Sequence, residues 1–168
     1  MPKPTNIILD ETAIRRKIER IAYEIFENNY DAKELLLIGI KDNGFRIAEE
    51  LKDKLQNISK IKVTVASVSL DKRNPMNAPI ELSIDAASVK GKTVVIVDDV
   101  AQSGKTLLYA IKPLLQHSPG RIQVAVLVDR KHKQFPVTAD YVGLLLSTTM
   151  NEQVILEMGK ETFAYLVD

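Results

Sequence analysis

Asp98 and Asp99 stand side by side at the end of an apolar run, and a small polar turn, Ala101 to Thr106, separates them from a stretch of helical spacing. The segment VVIVDDVAQSGKTL (Val94 to Leu107) thus reads as a buried strand that ends in two carboxylates, followed by a turn and a helix. At a helix start the backbone N–H groups point outward and the helix dipole favours negative charge, so the turn suits a phosphate. Gly104 lets backbone approach such a group closely, while Ser103 and Thr106 add hydroxyl donors. Two carboxylates cannot serve a phosphate directly, because like charges repel. They suit hydroxyl donors a short distance away, or a hard cation, and a sugar carrying a phosphate satisfies both halves. SGKT also matches the end of the triphosphate-binding pattern GxxxxGK[ST], but that pattern needs a glycine where this chain has Asp99. A capped strand–turn–helix accounts for the Asp pair alone; the whole run from Val94 to Leu107 favours a site.

The elements that must position these residues alternate between strand and helix. Ile14, Ile18, Ile21, Ala22, Ile25 and Phe26 fall three or four apart and paint one stripe on a helix, with Asp10 or Thr12 as cap and Asn28 and Asn29 as the stop. Leu35 to Ile40 is a short continuous apolar run, as in a strand buried on both faces. A KDNG turn follows, and helical spacing returns through Ile47, Ala48, Leu51 and Leu55. Val63 to Leu70, Thr93 to Asp99, Ile122 to Asp129 and Ala139 to Leu146 read as further strands, with a helix from about Lys105 to Leu115 in which Pro113 marks a last turn or kink. Strands separated by helices need crossover connections, so the class is α/β with a mostly parallel central sheet flanked by helices. Asp71 to Pro79, with two prolines and two asparagines, breaks the rhythm and reads as a long exposed loop of the kind that forms binding lids. Asn151 to Asp168 reads as a closing strand pair, with Val154, Leu156, Phe163 and Tyr165 as core or subunit contacts.

Composition narrows the function. At roughly 100–200 residues per domain, residues 1–168 form one domain. The absence of cysteine excludes disulfides, thiolate nucleophiles and cysteine-ligated zinc. With 23 basic against 22 acidic side chains the net charge is +1, which gives no general reason to expect a nucleic acid or an anionic membrane. Aromatic residues make up 5% and tryptophan is absent, so stacking platforms for single strands are not expected. MPKPTNIILDE is interrupted by Asp10 and Glu11 before a signal-peptide core forms, and no apolar stretch nears the ~18 residues of a membrane span. The chain is expected to be a soluble cytoplasmic protein. His117, beside Ser118 and Pro119, reads as a surface residue at a helix end, and the run Arg130, Lys131, His132, Lys133 as an exposed turn.

VVIVDDVAQSGKT resembles the phosphoribosyl pyrophosphate signature of the type I phosphoribosyltransferases. LDETAIRRKIERIAYEI near the start and LVDRKHKQFPVTADYVG near the end resemble the bacterial bifunctional family of pyrimidine-operon attenuators and uracil phosphoribosyltransferases, in order over nearly the whole chain. The resemblance implies that fold, with a small hood over the base site. It implies that Asp98 and Asp99 accept the ribose 2′ and 3′ hydroxyls, and that Ala101, Gln102, Ser103, Gly104, Lys105 and Thr106 hold the 5′-phosphate. Ile40, Lys41, Asp42, Asn43 and Gly44 match the pyrophosphate loop, and Asp71, Lys72 and Arg73 a mobile lid, with Lys72 and Arg73 joining the aspartates as catalytic residues. Asp129 to Pro136, and within it Asp129, Arg130, Lys131 and His132, match the segment shaping the base pocket. Mg²⁺ is implied as a passenger on the substrate pyrophosphate, without direct protein ligands.

The implied reaction displaces pyrophosphate from the anomeric carbon by a nucleobase nitrogen, with uracil giving UMP. A purine phosphoribosyltransferase, or a nucleotide-sensing RNA-binding regulator of pyrimidine genes, is the alternative. A homodimer or homotetramer is implied as well. Three departures bear on activity. The loop reads GIKDNG where the family pattern is nearer GIKTRG, so Asp42 and Asn43 replace a neutral residue and a cation, which weakens pyrophosphate binding unless Mg²⁺ or Lys41 compensates. QSGKT replaces the usual TGRT, a mild change, and the lid is short and keeps one acidic residue of its usual pair.

Overall fold

The computed structural model describes residues 4–168; Met1 to Lys3, part of the amino-terminal stretch read above for an address, lie outside them. In chain order the elements are β1 (Ile7–Leu9), α1 (Glu11–Asn28), β2 (Glu34–Ile40), α2 (Asn43–Ile58), β3 (Lys62–Ser69), β4 (Glu81–Leu82), β5 (Thr93–Ala101), α3 (Lys105–Ile111), β6 (Arg121–Arg130), β7 (Tyr141–Leu146), β8 (Gln153–Met158) and β9 (Thr162–Val167). Six strands form one sheet in the order β4-β3-β2-β5-β6-β7. All neighbours in it run parallel except β4, which returns antiparallel to β3. The closing strand pair is an antiparallel β8–β9 hairpin that takes β1 as a third strand. Among the described residues no helix is long and apolar enough to cross a membrane.

Alternation along the buried strands sends side chains to two cores. Leu35, Leu37, Val95, Val97 and Leu127 pack with Ile14, Ile18, Ile21 and Ile25 of α1 and with Ile47, Leu51 and Leu55 of α2. On the opposite face Leu36, Ile38, Val94, Ile96 and Val126 meet Leu107, Ala110 and Leu114. Each such side chain stabilises the fold by roughly 1.5–3 kcal/mol. Asp10 caps α1, its carboxylate accepting the N–H of Ala13 at 2.8 Å.

Local structure departs from expectation in two places that matter to the site, and follows it at Pro113. β5 does not stop at the Asp pair: β6 is long enough to keep pairing with it, so the ladder runs on through Asp98↔Val126 and Val100↔Val128 to Ala101↔Asp129. The KDNG turn is shorter than it reads, because Asp42 turns the chain in one residue at φ 74° and α2 starts at Asn43. The helix after the polar turn is α-helical only to Ile111 and continues as a 3₁₀ helix, Lys112–His117. Pro113 has no N–H to give the carbonyl one turn back, and its ring crowds that carbonyl.

Candidate active site

The strand order reverses between β2 and β5, and the carboxyl ends of strands at such a point are where open α/β sheets bind ligands. Asp98 is 2% exposed, and its neighbour Asp99 is only partly buried. The Asp98 carboxylate accepts the N–H of Asp99 at 2.9 Å, and the Asp99 carboxylate accepts the N–H of Val100 at 2.8 Å. Burial and the charge of Asp99 push the Asp98 carboxyl up to about 8, although Lys72 pulls it the other way. Lys72 reaches in from the loop after β3, with Nζ 3.6 Å from Asp98 Oδ1 and 3.9 Å from Asp99 Oδ1. Burial alone would lower the lysine, but the two aspartates outweigh it and hold its pKa above the ordinary value.

Close backbone approach makes this grouping possible. A Cβ on Gly44 would lie 2.7 Å from Val97 O and 3.3 Å from Asp98 Oδ1, so only glycine lets the first turn of α2 rest on the end of β5. That approach delivers Asn43, whose amide donates to Asp99 Oδ2 at 2.9 Å and to Leu156 O at 2.8 Å.

Beyond the aspartates the turn from Ala101 to Thr106 carries Gly104 at φ +84°, a conformation that costs other residues strain. Ser103 O accepts the N–H groups of Gln134 and Phe135, both at 3.0 Å, which clasps the turn against the loop after β6. Lys105 Nζ donates to Arg73 O at 3.4 Å, tying the turn to the loop after β3. Asn43, Lys72, Asp98, Asp99, the whole turn and Val154 to Leu156 of the hairpin line one cleft of about 430 Å³.

The remaining sequence candidates are distributed around it. Ile40 is buried at the end of β2, and Lys41 and Asp42 are exposed, opening onto a neighbouring cavity of about 620 Å³ with Arg46, Ser67, Ser69 and Ser83. Asp71 braces its own loop, accepting the N–H groups of Arg73 at 2.9 Å and Asn74 at 3.2 Å, and the Arg73 side chain is exposed. Asp129, Arg130, Lys131 and His132 do not line the cleft. Asp129 pairs with Lys133, and Lys131 is exposed. The buried Arg130 guanidinium donates to Gln102 Oε1 at 2.7 Å, Thr148 Oγ1 at 2.8 Å and Thr149 O at 3.0 Å, and His132 Nε2 lies 2.9 Å from Thr148 O. This segment therefore braces the turn from Ala101 to Thr106 and the loop between β7 and β8. His117 ends the 3₁₀ helix, away from the cleft.

Sequence reasoning missed the hairpin as a wall of the cleft and Asn43 and Gln102 as its ties. Gln102 Nε2 donates to Val154 O at 3.0 Å, so both ties end on backbone carbonyls, which carry no residue signature.

Residues 4–158 match the phosphoribosyl transferase domain family. A pyrimidine operon regulatory protein of Lactococcus lactis is 36% identical over 158 residues, covering 91% of this chain and 90% of that protein. The bifunctional protein PyrR of Streptococcus pneumoniae is 35% identical over 156 residues, covering 92% and 90%. Among solved structures, a hypoxanthine-guanine phosphoribosyltransferase of Bacillus anthracis superposes with TM-score 0.75 at 20% identity, covering 98% of this chain and 99% of that one. The hypoxanthine phosphoribosyltransferase of Trypanosoma cruzi gives 0.76 at 21%, covering 95% of each. At such identity these two speak for the fold, whereas the whole-length sequence match and the paired aspartates at the end of β5 speak for descent: the chain belongs to the phosphoribosyl transferase domain family.

Proposed function

We propose that the chain transfers the phosphoribosyl group of phosphoribosyl pyrophosphate to uracil, giving UMP and pyrophosphate. The observation that carries this reading is one cleft holding two unlike subsites, the aspartates with Lys72 and the polar turn with Gly104. Asp98 and Asp99 accept the ribose 2′ and 3′ hydroxyls, and residues 101–106 hold the 5′-phosphate through N–H and hydroxyl donors. Lys41 and the backbone from Ile40 to Gly44 meet the pyrophosphate, and Asp129 to His132 shape the base side through the loop they brace. Lys72 occupies the carboxylates when no sugar is present and swings to the leaving pyrophosphate when hydroxyls replace it; Arg73 follows on the same loop. The anomeric carbon gains oxocarbenium character as pyrophosphate leaves, so the protein's work is orientation, charge stabilisation and exclusion of water.

Mg²⁺ fits this site as a passenger on the pyrophosphate. Asp98 and Asp99 are hard oxygen donors on the cleft wall, able to hold the ion through its waters. When bound, it neutralises leaving-group charge.

The test is to offer the protein Mg²⁺, phosphoribosyl pyrophosphate and, separately, uracil, hypoxanthine, guanine and adenine, and to follow nucleotide and pyrophosphate. UMP formation that Asp98→Asn/Asp99→Asn abolishes is the expected result; a purine nucleotide instead moves the base preference. The name of the Lactococcus relative, a pyrimidine operon regulatory protein, favours a second reading, control of pyrimidine genes, for which we propose RNA as the ligand. No product with any base, alongside RNA affinity that falls steeply with salt, makes that reading the leading one. A homo-oligomer in sedimentation is expected under either.

A further inference from the structure

The hairpin strand β8 is an edge strand, since the sheet order is β1-β9-β8. An edge presents alternate carbonyls outward, and an unpaired row of them needs donors. Here the donors are three side chains, one from the turn after β5 and two from the first turn of α2. Gln102 of the phosphate turn bonds Val154 O at 3.0 Å, Asn43 of the pyrophosphate turn bonds Leu156 O at 2.8 Å, and Arg46 of α2 bonds Met158 O. Of the three, Asn43 also touches a ribose carboxylate, at 2.9 Å. Its side-chain nitrogen has two hydrogens, so both are committed, one to each partner.

We propose that Asn43 is a positioning residue that sets the rotation of the Asp99 carboxylate and locks it to the β8 edge, so that the ribose site and the hairpin wall hold one geometry. Asp99 Oδ1 takes the N–H of Val100 at 2.8 Å and Oδ2 takes Asn43, and two donors on two oxygens fix the plane of the group. Without the amide, Asp99 keeps the Asp98 carboxyl, which repels it when ionised, and Lys72 at 3.9 Å, which sits on an exposed loop and which the sugar must displace. The short, neutral asparagine turns inward, to Asp99 Oδ2 and Leu156 O. The proposal rests on the ribose-site reading above, and it assigns Asn43 to the sugar rather than to the pyrophosphate.

Calorimetric titration with ribose 5-phosphate and with inorganic phosphate separates the roles, because phosphate alone engages only residues 101–106. Asn43→Ala is expected to weaken ribose 5-phosphate about tenfold, the scale of one charge-assisted hydrogen bond, and to leave inorganic phosphate within about twofold. Asn43→Ser, which keeps one donor, restores part of the loss. Hydrogen exchange in 153–158 quickens in Asn43→Ala with the rest of the sheet unchanged. Unchanged ribose 5-phosphate affinity, or equal losses for both ligands, overturns the proposal. If the wild type binds ribose 5-phosphate no better than inorganic phosphate, the ribose-site reading itself fails and takes this one with it.

Discussion

Replacing Asp98 by asparagine should make the ligand-free protein more stable at neutral pH, although it removes a residue the proposed reaction uses. The unfolded carboxyl titrates near 3.8 and the folded one near 8, raised by burial and by Asp99. Between those values the folded chain keeps a proton that the unfolded chain has released. The native state therefore binds more protons, and stability falls as pH rises, by about 1.4 kcal/mol per pH unit. From pH 5 to pH 7 this amounts to about 3 kcal/mol, and the fall levels off above the folded pKa. Asparagine has the same size, still offers an oxygen to the N–H of Asp99, and cannot ionise. Lys72 adds no separate slope, because its attraction for Asp98 is already part of what sets the Asp98 value and the carboxyl keeps its proton below it. Urea unfolding of both proteins at pH 5, 6, 7 and 8, in a phosphate-free buffer, reads the difference directly. Asp98→Asn is expected to gain on the wild type steadily by about 3 kcal/mol between pH 5 and 7. Parallel stability curves would refute the reasoning, because they would mean that Asp98 gives up its proton in the folded protein as readily as in the unfolded one.

Other substitutions test the scaffold around the pair. Gly44→Ala drives a methyl to 2.7 Å from Val97 O and 3.2 Å from Asp98 Cα, backbone atoms that cannot step aside, so urea unfolding should show a loss of about 2 kcal/mol together with weakened ribose 5-phosphate binding. Asp42→Gly relieves a non-glycine residue held at φ 74° and should raise the stability measured in urea by about 1 kcal/mol. Arg130→Met leaves Gln102 Oε1, Thr148 Oγ1 and Thr149 O without their donor; a cost of about 3 kcal/mol and faster proteolysis between Leu146 and Gln153 are expected. Arg130→Lys should rescue little, since one ammonium cannot span three acceptors in different directions.

What the sequence discloses and what it conceals divide along a physical line. Leu35 to Ile40 and Val94 to Val97 announce buried parallel strands because both of their faces are apolar, and the Asp pair announces a strand exit because carboxylates end such a run. These are local signals. How far β5 extends was not local: its last residues are held by pairing with β6, so the burial of Asp98 depends on a strand that begins at Arg121. Pro113 marked the end of regular α-helix correctly, since the missing N–H is a property of one residue. The ties of the site lie at the other extreme. Asn43 and Leu156 are 113 positions apart, and the acceptor is a main-chain oxygen that every residue type possesses. Arg130 reads as part of a basic turn, yet its guanidinium is buried and joins the phosphate turn to the loop before β8. The chemistry-bearing side chains are thus legible at strand ends, whereas the restraints that aim them run through carbonyls of a hairpin whose own sequence shows only alternation. Asn43 faces the protein, bonding Asp99 and Leu156 O, and on the proposed reading its removal should be felt at the ribose subsite rather than at the pyrophosphate.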